Sequence, residues 1–374
     1  MTRRWLTGIV LVSALGFAAC GSDGDDAKST ATTSPAASAT SVATDVGAAP
    51  TSATALDEGA ATTTPAHDEA AATTAAPAAD AYPITISHHF GETVIPAAPK
   101  RVVSLGYTEQ DAIVAFGIEP IAARYAFGPD DDVFFPWAYA AAGASDPVIL
   151  ARAEVNIEQI AELQPDLIMA ITAGLPEDEY DLLSAIAPVV VQPEGYLDFG
   201  TPWQIQTLQT GKAFGQQAEA EAMIAEVEAE IAAARVAHPE FEGLTVAVSG
   251  PTYSGEYPFH SSEDPRGRFF TDLGFVVPQE LDDLAGDQFY GTLSMEEASM
   301  LDTDVLAFQA GSPDEKSAIE ADTILAGLPV VKDGRSIFIE GSDYDAFQFV
   351  SVLSLPYLLE NFVPKLADVA AKAA

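Results

Sequence analysis

Fifteen residues from Asn156, NIEQIAELQPDLIMA, lie over fifteen from Ser294, SMEEASMLDTDVLAF, without a gap. Ile157 meets Met295, Glu158 meets Glu296, Leu163 meets Leu301 and Asp166 meets Asp304. Ala187-Pro188-Val189-Val190 then meets Leu328-Pro329-Val330-Val331 after a three-residue adjustment. Each half reads as a helix followed by a buried strand, at nearly constant spacing. Two matches in the same order predict two lobes of similar topology, offset by 138 positions.

The chain from Tyr82 onward fits that frame. Strand-like runs occur at Arg101–Leu105, Pro120–Ala123, Asp166–Ile171, Val189–Gln192, Leu244–Ser249, Asp304–Gln309 and Ser336–Ile339. Helical patterns lie between them, at Asn156–Leu163, Glu177–Ile186, Leu293–Leu301 and Ser317–Leu325. Such alternation is the mark of α/β layers. The roughly 290 residues available suffice for two modest cores. From Thr201 to His238 the residues Met223, Val227, Ile231 and Ala234 recur at helical spacing among Glu219, Glu221, Glu226, Glu228 and Glu230. Trp203, Leu208 and Phe214 extend this apolar pattern upstream. The stretch is too long for a loop. It reads as a long helix bridging two lobes, 82–200 and 239–374; the alternative is one more helix packed on a single sheet.

What precedes Tyr82 is of another kind. Thr2-Arg3-Arg4 is basic, and Trp5 to Ala19 is apolar apart from Thr7 and Ser13. With small residues before Cys20, positions 1–19 read as a secretory signal, too short for the roughly 20 residues that a membrane-crossing helix needs. Phe17-Ala18-Ala19-Cys20 resembles the lipobox of bacterial lipoproteins, in which the Cys becomes diacylated, although Leu usually stands where Phe17 does. Cys20 is the only cysteine, so a monomer has no disulfide and no cysteine metal site. Gly21 to Ala81 holds no Phe, Tyr or Trp and is mostly Ala, Thr, Ser and Pro. It buries too little to offset its ordering entropy, so 20–81 is expected to be a disordered tether, spanning on the order of 40 Å.

The formal charge of −40 argues against nucleic acid, which needs basic surface. It argues equally against adhesion to anionic lipid, leaving a lipid on Cys20 as the only membrane link. Enzyme signatures such as G-x-S-x-G, H-E-x-x-H and G-x-G-x-x-G are absent. Gly211-Lys212 mimics the end of a phosphate loop, but Gln206 replaces its first Gly and Ala213 its Ser or Thr. The five histidines are His67, His88, His89, His238 and His260. Adjacent strand residues face opposite ways, so His88 and His89 cannot hold one ion from a strand, and no metal site or cofactor is expected.

A two-lobed α/β protein holds ligand between its lobes. The repeat offers two matching pre-helix positions there, Arg152 and Tyr290, four residues before Asn156 and Ser294. A guanidinium fork suits the oxygens of a chelate, and an aromatic ring suits its organic faces. Alternatively, Arg152 is covered by surface carboxylates and Tyr290 packs in its own lobe. Further candidates are Arg124 and Tyr125 with the aromatic loop Phe127, Phe134, Phe135 and Trp137, then Arg266-Gly267-Arg268, and Tyr344 with Phe347. Any of these aromatics could instead be core.

The motifs FGETVIPAAPKRVVSLGYTEQDAIVAFGIEP, FFPWAYAAAG, NIEQIAELQPDLIMAI, AGLPEDEYDLLSAIAPVV, WQIQTLQTGKAFG, AHPEFEG and GRFFTDLGFVVP occur in order. In them the region from Tyr82 onward resembles the iron-siderophore-binding lipoproteins of ABC importers, especially actinobacterial ones. The resemblance implies two Rossmann-like lobes joined by a single long bridging helix, closing slightly on ligand. It implies an Arg at Arg152, an aromatic at Tyr290 and aromatics around Tyr344 as ligand contacts. It also implies docking to the permease through one acidic residue per lobe, Glu177 and Glu263, with Asp264 as a substitute for the second. Related members bind vitamin B12 or haem, so the ligand stays open among such chelates. The expected activity is capture and delivery of a ferric siderophore by a monomer tethered outside the membrane. The rivals are a secreted metal-dependent hydrolase, disfavoured by the missing motifs, and an adhesive surface lipoprotein.

Overall fold

Strands β1 (Ile84–His88) and β2 (Gly91–Ile95) pair as an antiparallel hairpin in which alternate residues are buried, as a half-covered sheet requires. The structure, a computed structural model, describes residues 81–373 apart from 126–131, 153–154, 287 and 349. Cys20, the expected signal 1–19, all but the last residue of the expected tether and Phe127 lie outside the described residues.

The first lobe alternates β3 (Val102–Ser104), α1 (Glu109–Ala115), β4 (Ala122–Arg124), α2 (Tyr139–Ala142), β5 (Val148–Leu150), α3 (Ile157–Leu163), β6 (Leu167–Ala170), α4 (Glu177–Ser184) and β7 (Val189–Val191). Its five strands are parallel, in the order β5-β4-β3-β6-β7. β3, β6 and β7 are buried along their whole length, which is why they read as unbroken apolar runs.

The second lobe holds β8 (Val246–Ser249), β9 (Glu256–His260), α7 (Pro265–Asp272), α8 (Gln279–Ala285), β10 (Tyr290–Ser294), β11 (Val305–Ala310), α9 (Pro313–Ala321), α10 (Pro329–Lys332), β12 (Ser336–Glu340), α11 (Ser342–Gln348), α12 (Ser354–Asn361) and α13 (Val363–Ala370). Between the two lobes in chain order lie α5 and α6. The strand order, β10-β9-β8-β11-β12, repeats that of the first lobe. In chain order both sheets run third, second, first, fourth, fifth, the Rossmann arrangement. The difference is that β9 is antiparallel to both its neighbours.

The expected bridging helix is two helices, α5 (Trp203–Ala213) and α6 (Gln217–Ala237). Gly215, with φ 68°, turns the chain between them, a conformation open to glycine for want of a Cβ. α6 is the long member and spans the two cores. Its Ala220 lies in the first lobe's core, while Val227 and Ile231 lie in the second's.

The sequence repeat survives where the strands are buried: β6 and β11 begin at the repeat-related Leu167 and Val305. Elsewhere it breaks. Leu293 belongs to β10, and only Ala298–Leu301 forms a short 3-10 turn where α3 stands in the first lobe. The second match fails too. Val189 and Val190 are strand, whereas Val330 and Val331 lie in α10, started by Pro329 and held by Val330 N–H donating to Asp302 Oδ1 at 2.8 Å. The true counterpart of β7 is β12.

Candidate functional site

Open parallel sheets bind ligands beyond the carboxyl ends of their strands, where the strand order reverses. In the first lobe that point lies between β3 and β6. The loop after β3 presents Tyr107, and the loop after β7 presents Phe199; their rings stack at 5.6 Å and 14°. The Arg124 guanidinium, at the end of β4, lies 5.1 Å from the centre of the Tyr107 ring. Its Nε and Nη2 donate to the Arg152 carbonyl at 3.1 and 2.7 Å. Phe199 adopts φ 65° and lies against Gly174, where a Cβ would collide with the ring. The ends of β3, β4 and β7 thus assemble one wall of cation and aromatic faces.

In the second lobe Arg266 is gripped at two points by Asp264, Nε to Oδ1 at 2.7 Å and Nη2 to Oδ2 at 2.8 Å. Its Nη1 donates to Gln348 Oε1 at 3.4 Å, and Gln348 Nε2 donates to Gln309 Oε1 at 3.0 Å near the end of β11. Burial alone would raise the Asp264 carboxyl, but Arg266 and then His260 hold it well below the usual range. His260 Nδ1 lies 3.3 Å from Asp264 Oδ2 without hydrogen-bond geometry; burial, then the Arg266 charge, lowers its pKa. The Tyr344 ring fills the space over Gly311, and burial raises its hydroxyl pKa.

A cavity of about 620 Å³ opens between the two lobes, lined by Tyr196, Leu197 and Gly200 from the first and by Glu263, Arg268 and Phe289 from the second. Arg268 Nη1 donates to the Gly200 carbonyl at 2.9 Å across the lobes, and its Nη2 meets Glu263 Oε2 at 3.0 Å.

Arg124, Arg268 and Tyr344 therefore stand at strand ends or on the inter-lobe cavity. Arg152 leaves the end of β5 with an exposed side chain. Tyr290 is half-exposed, but it opens the edge strand β10 and pairs with His260, at the end of β9. The two repeat-related positions are thus not equivalent: one follows a strand and the other begins one. Trp137, partly exposed, makes contacts within the protein. Its Nε1 donates to Asp111 Oδ2 at 2.8 Å, and its ring stacks on Phe135 at 4.8 Å and leans on Tyr357 of α12 at 5.2 Å. Glu177 is exposed at the first residue of α4, and the Glu263 side chain is 78% exposed beside its arginine. Asp264 cannot substitute for Glu263 at a docking surface, because it is wholly buried as the N-cap of α7.

Tyr107 and Phe199 are not singled out as contacts by the sequence, whereas Arg266 is named there beside Arg268. The available signal is slight: aromatics in glycine-bearing loops after buried strands.

A family model described as periplasmic binding protein matches residues 103–342. The probable siderophore-binding lipoprotein YfiY of Bacillus subtilis is 28% identical over 266 residues, covering 67% of this chain and 78% of that protein. A periplasmic solute-binding protein of Mycobacterium smegmatis is 35% identical in its crystal structure, with a TM-score of 0.70 over 77% of this chain and 98% of that one. The PiaA–ferrichrome complex of Streptococcus pneumoniae is 26% identical, with a TM-score of 0.68 over 78% of this chain and 100% of that one.

Proposed function

The chain belongs to the periplasmic binding protein family, and on that premise we propose that it captures a ferric siderophore between its lobes and delivers it to the permease of an ABC importer. The observation that carries this reading is a cluster of arginines in each lobe, with aromatic rings beside the first lobe's and a cavity opening between the lobes. Arg124 rests on Tyr107 and Phe199 in one lobe, while Arg266 and Arg268 stand in the other. Arginine is scarce in a chain of net charge −40, so its gathering at strand ends favours a ligand with anionic oxygens and organic faces. The relatives YfiY and PiaA support iron chelates over vitamin B12 or haem.

In this reading Arg124, Arg152, Arg268, Tyr290 and Tyr344 contribute contacts to the chelate, which itself holds the iron. Glu177 and Glu263, exposed on separate lobes, are offered to the permease. Cys20 carries the lipid that keeps a monomer at the membrane surface.

The test is a titration of intrinsic tryptophan fluorescence. Trp203 opens α5 within the second lobe's core, and Trp137 joins the aromatic loop to α12, so both report on the lobe junction. Ferric citrate, ferrichrome and ferric enterobactin should be separated by affinity, with at least one saturating at micromolar concentration or below. Saturation by haem or cobalamin alone would replace the ligand, and no saturation by any chelate would remove the reading.

A further inference from the structure

Glu109 is wholly buried and opens α1 directly behind the first lobe's wall. Its Oε2 accepts the Gly106 N–H at 3.0 Å, and its Oε1 accepts the Thr172 N–H at 2.8 Å. Gly106 follows β3 and Thr172 follows β6, the two strands between which the order reverses. One carboxylate therefore clamps both lips of the crevice that a doubly wound sheet opens at that point.

The surrounding bonds tighten the same loop. Thr172 Oγ1 donates to the Tyr107 carbonyl at 2.8 Å, and the Tyr107 N–H donates to the Thr172 carbonyl at 3.4 Å. A Cβ at Gly106 would run into the Glu109 carboxyl, so glycine is required for the approach. Thr108, between Tyr107 and Glu109, has φ 64°, strained for a β-branched residue and kept only where neighbours over-determine the backbone. Desolvating a carboxylate is costly. Its burial pushes the carboxyl up to about 7 despite the bonds from Thr172, Gly106 and Ile171.

We propose that Glu109 is a positioning residue for ligand binding: by clamping the loops after β3 and β6 it holds the Tyr107 ring, and with it Phe199 and Arg124, in the first lobe's wall. This rests on reading the crevice as the ligand site, and the test has one arm that needs no ligand. Glu109→Gln keeps the shape but turns an amide N–H₂ toward one of the two backbone donors. In the apo protein, hydrogen exchange over 104–108 and 171–174 should rise roughly fivefold or more, with β8 and β11 unchanged, as expected of a local opening. Unchanged exchange in both loops would overturn the clamp.

The second arm uses whichever of ferric citrate, ferrichrome or ferric enterobactin binds the wild type. Glu109→Gln should weaken it on the order of tenfold, the size of one lost charge-assisted hydrogen bond. Tyr107→Leu should do the same, and the double variant should be no worse than the poorer single one. Additive losses would mean that Glu109 does not act through Tyr107, and would overturn the proposal. If the wild type binds none of the three, the ligand reading is what fails, and the exchange arm still decides whether the carboxylate sets the loop.

Discussion

Arg124 shows how much of this site is fixed before any ligand arrives. The side chain is nine-tenths buried, its fork bonded to a carbonyl and its face laid on a ring. Arg124→Ala removes two charged donors from the Arg152 carbonyl. The apo protein should lose about 1–3 kcal/mol of stability, and affinity for the chelate should fall about ten- to a hundredfold. Arg152→Ala keeps the carbonyl that Arg124 grips, and affinity for the chelate is the readout for its exposed side chain. Affinity unchanged in both variants would take the first lobe's cations out of the site. Titration gives a second residue-scale expectation. Burial pushes Glu109 up to about 7 and Asp111 up to about 6, from ordinary carboxyl values of 4.5 and 3.8. Between each pair of values the native state binds more protons than the unfolded one. The stability these groups allow is therefore fully present below the lower value and lost as pH rises through the higher. The denaturant midpoint of Glu109→Gln should fall less steeply than that of the wild type between about pH 5 and pH 7.5. Parallel slopes would show that Glu109 titrates alike folded and unfolded.

At the scale of elements, the corner between α5 and α6 is the least forgiving place. Gly211 is buried in α5, and a Cβ there would stand 2.6 Å from the Ala220 Cβ and 2.9 Å from Phe116 Cζ. Gly211→Ala should destabilise by about 1–3 kcal/mol, the usual penalty of overpacking, despite alanine's better helix propensity. A thermal melt checks it; a gain in stability would mean that the helices part freely. The same glycine explains the false echo of a phosphate loop: Gly211-Lys212 is a close helix–helix approach inside α5, not a loop. Much of the rest was legible. The strands buried on both faces announced themselves as apolar runs, and Val227 and Ile231 marked the α6 face that meets the second core. What stayed hidden was the antiparallel β9–β10 pair. Pro258 and Gly291 lie inside those strands, and both residues argue against strand in a sequence. Gly291 is needed because the Phe259 ring occupies the space a side chain would take. The wall residues were hidden for another reason. Tyr107 and Phe199 meet only after loops 92 positions apart are brought together by the sheet order.

On the scale of the whole two-lobed unit, the question is how far the lobes can move about the cavity between them. α6 reaches into both cores, so a simple strand hinge is not what joins them. A second tie runs through Asp111, wholly buried in α1. Its Oδ2 accepts the Ser351 hydroxyl, 240 positions away in the segment between α11 and α12, at 2.6 Å, and the Trp137 indole N–H at 2.8 Å. Ser351 is itself built in, its Oγ accepting the Ser354 N–H at 3.0 Å while Ser354 Oγ accepts the Ser351 N–H at 2.8 Å. Trp137 then leans on Tyr357 of α12, which extends the contact between lobes as packed aromatic surface. A third tie, Arg268 to the Gly200 carbonyl, crosses the cavity. With a helix rooted in both cores and polar ties outside it, closure on a chelate can only be a small rotation. X-ray scattering of the apo and ferric-siderophore-loaded protein should therefore give nearly superimposable profiles. Ser351→Ala leaves Asp111 with the indole as its remaining side-chain donor, which should cost about 1–3 kcal/mol of stability. It should also widen the difference between apo and loaded profiles, because the lobes lose a tie that the wild type keeps in both states. A marked compaction of the wild type on loading would mean that the buried carboxylate does not restrain the lobes and that α6 bends as a hinge.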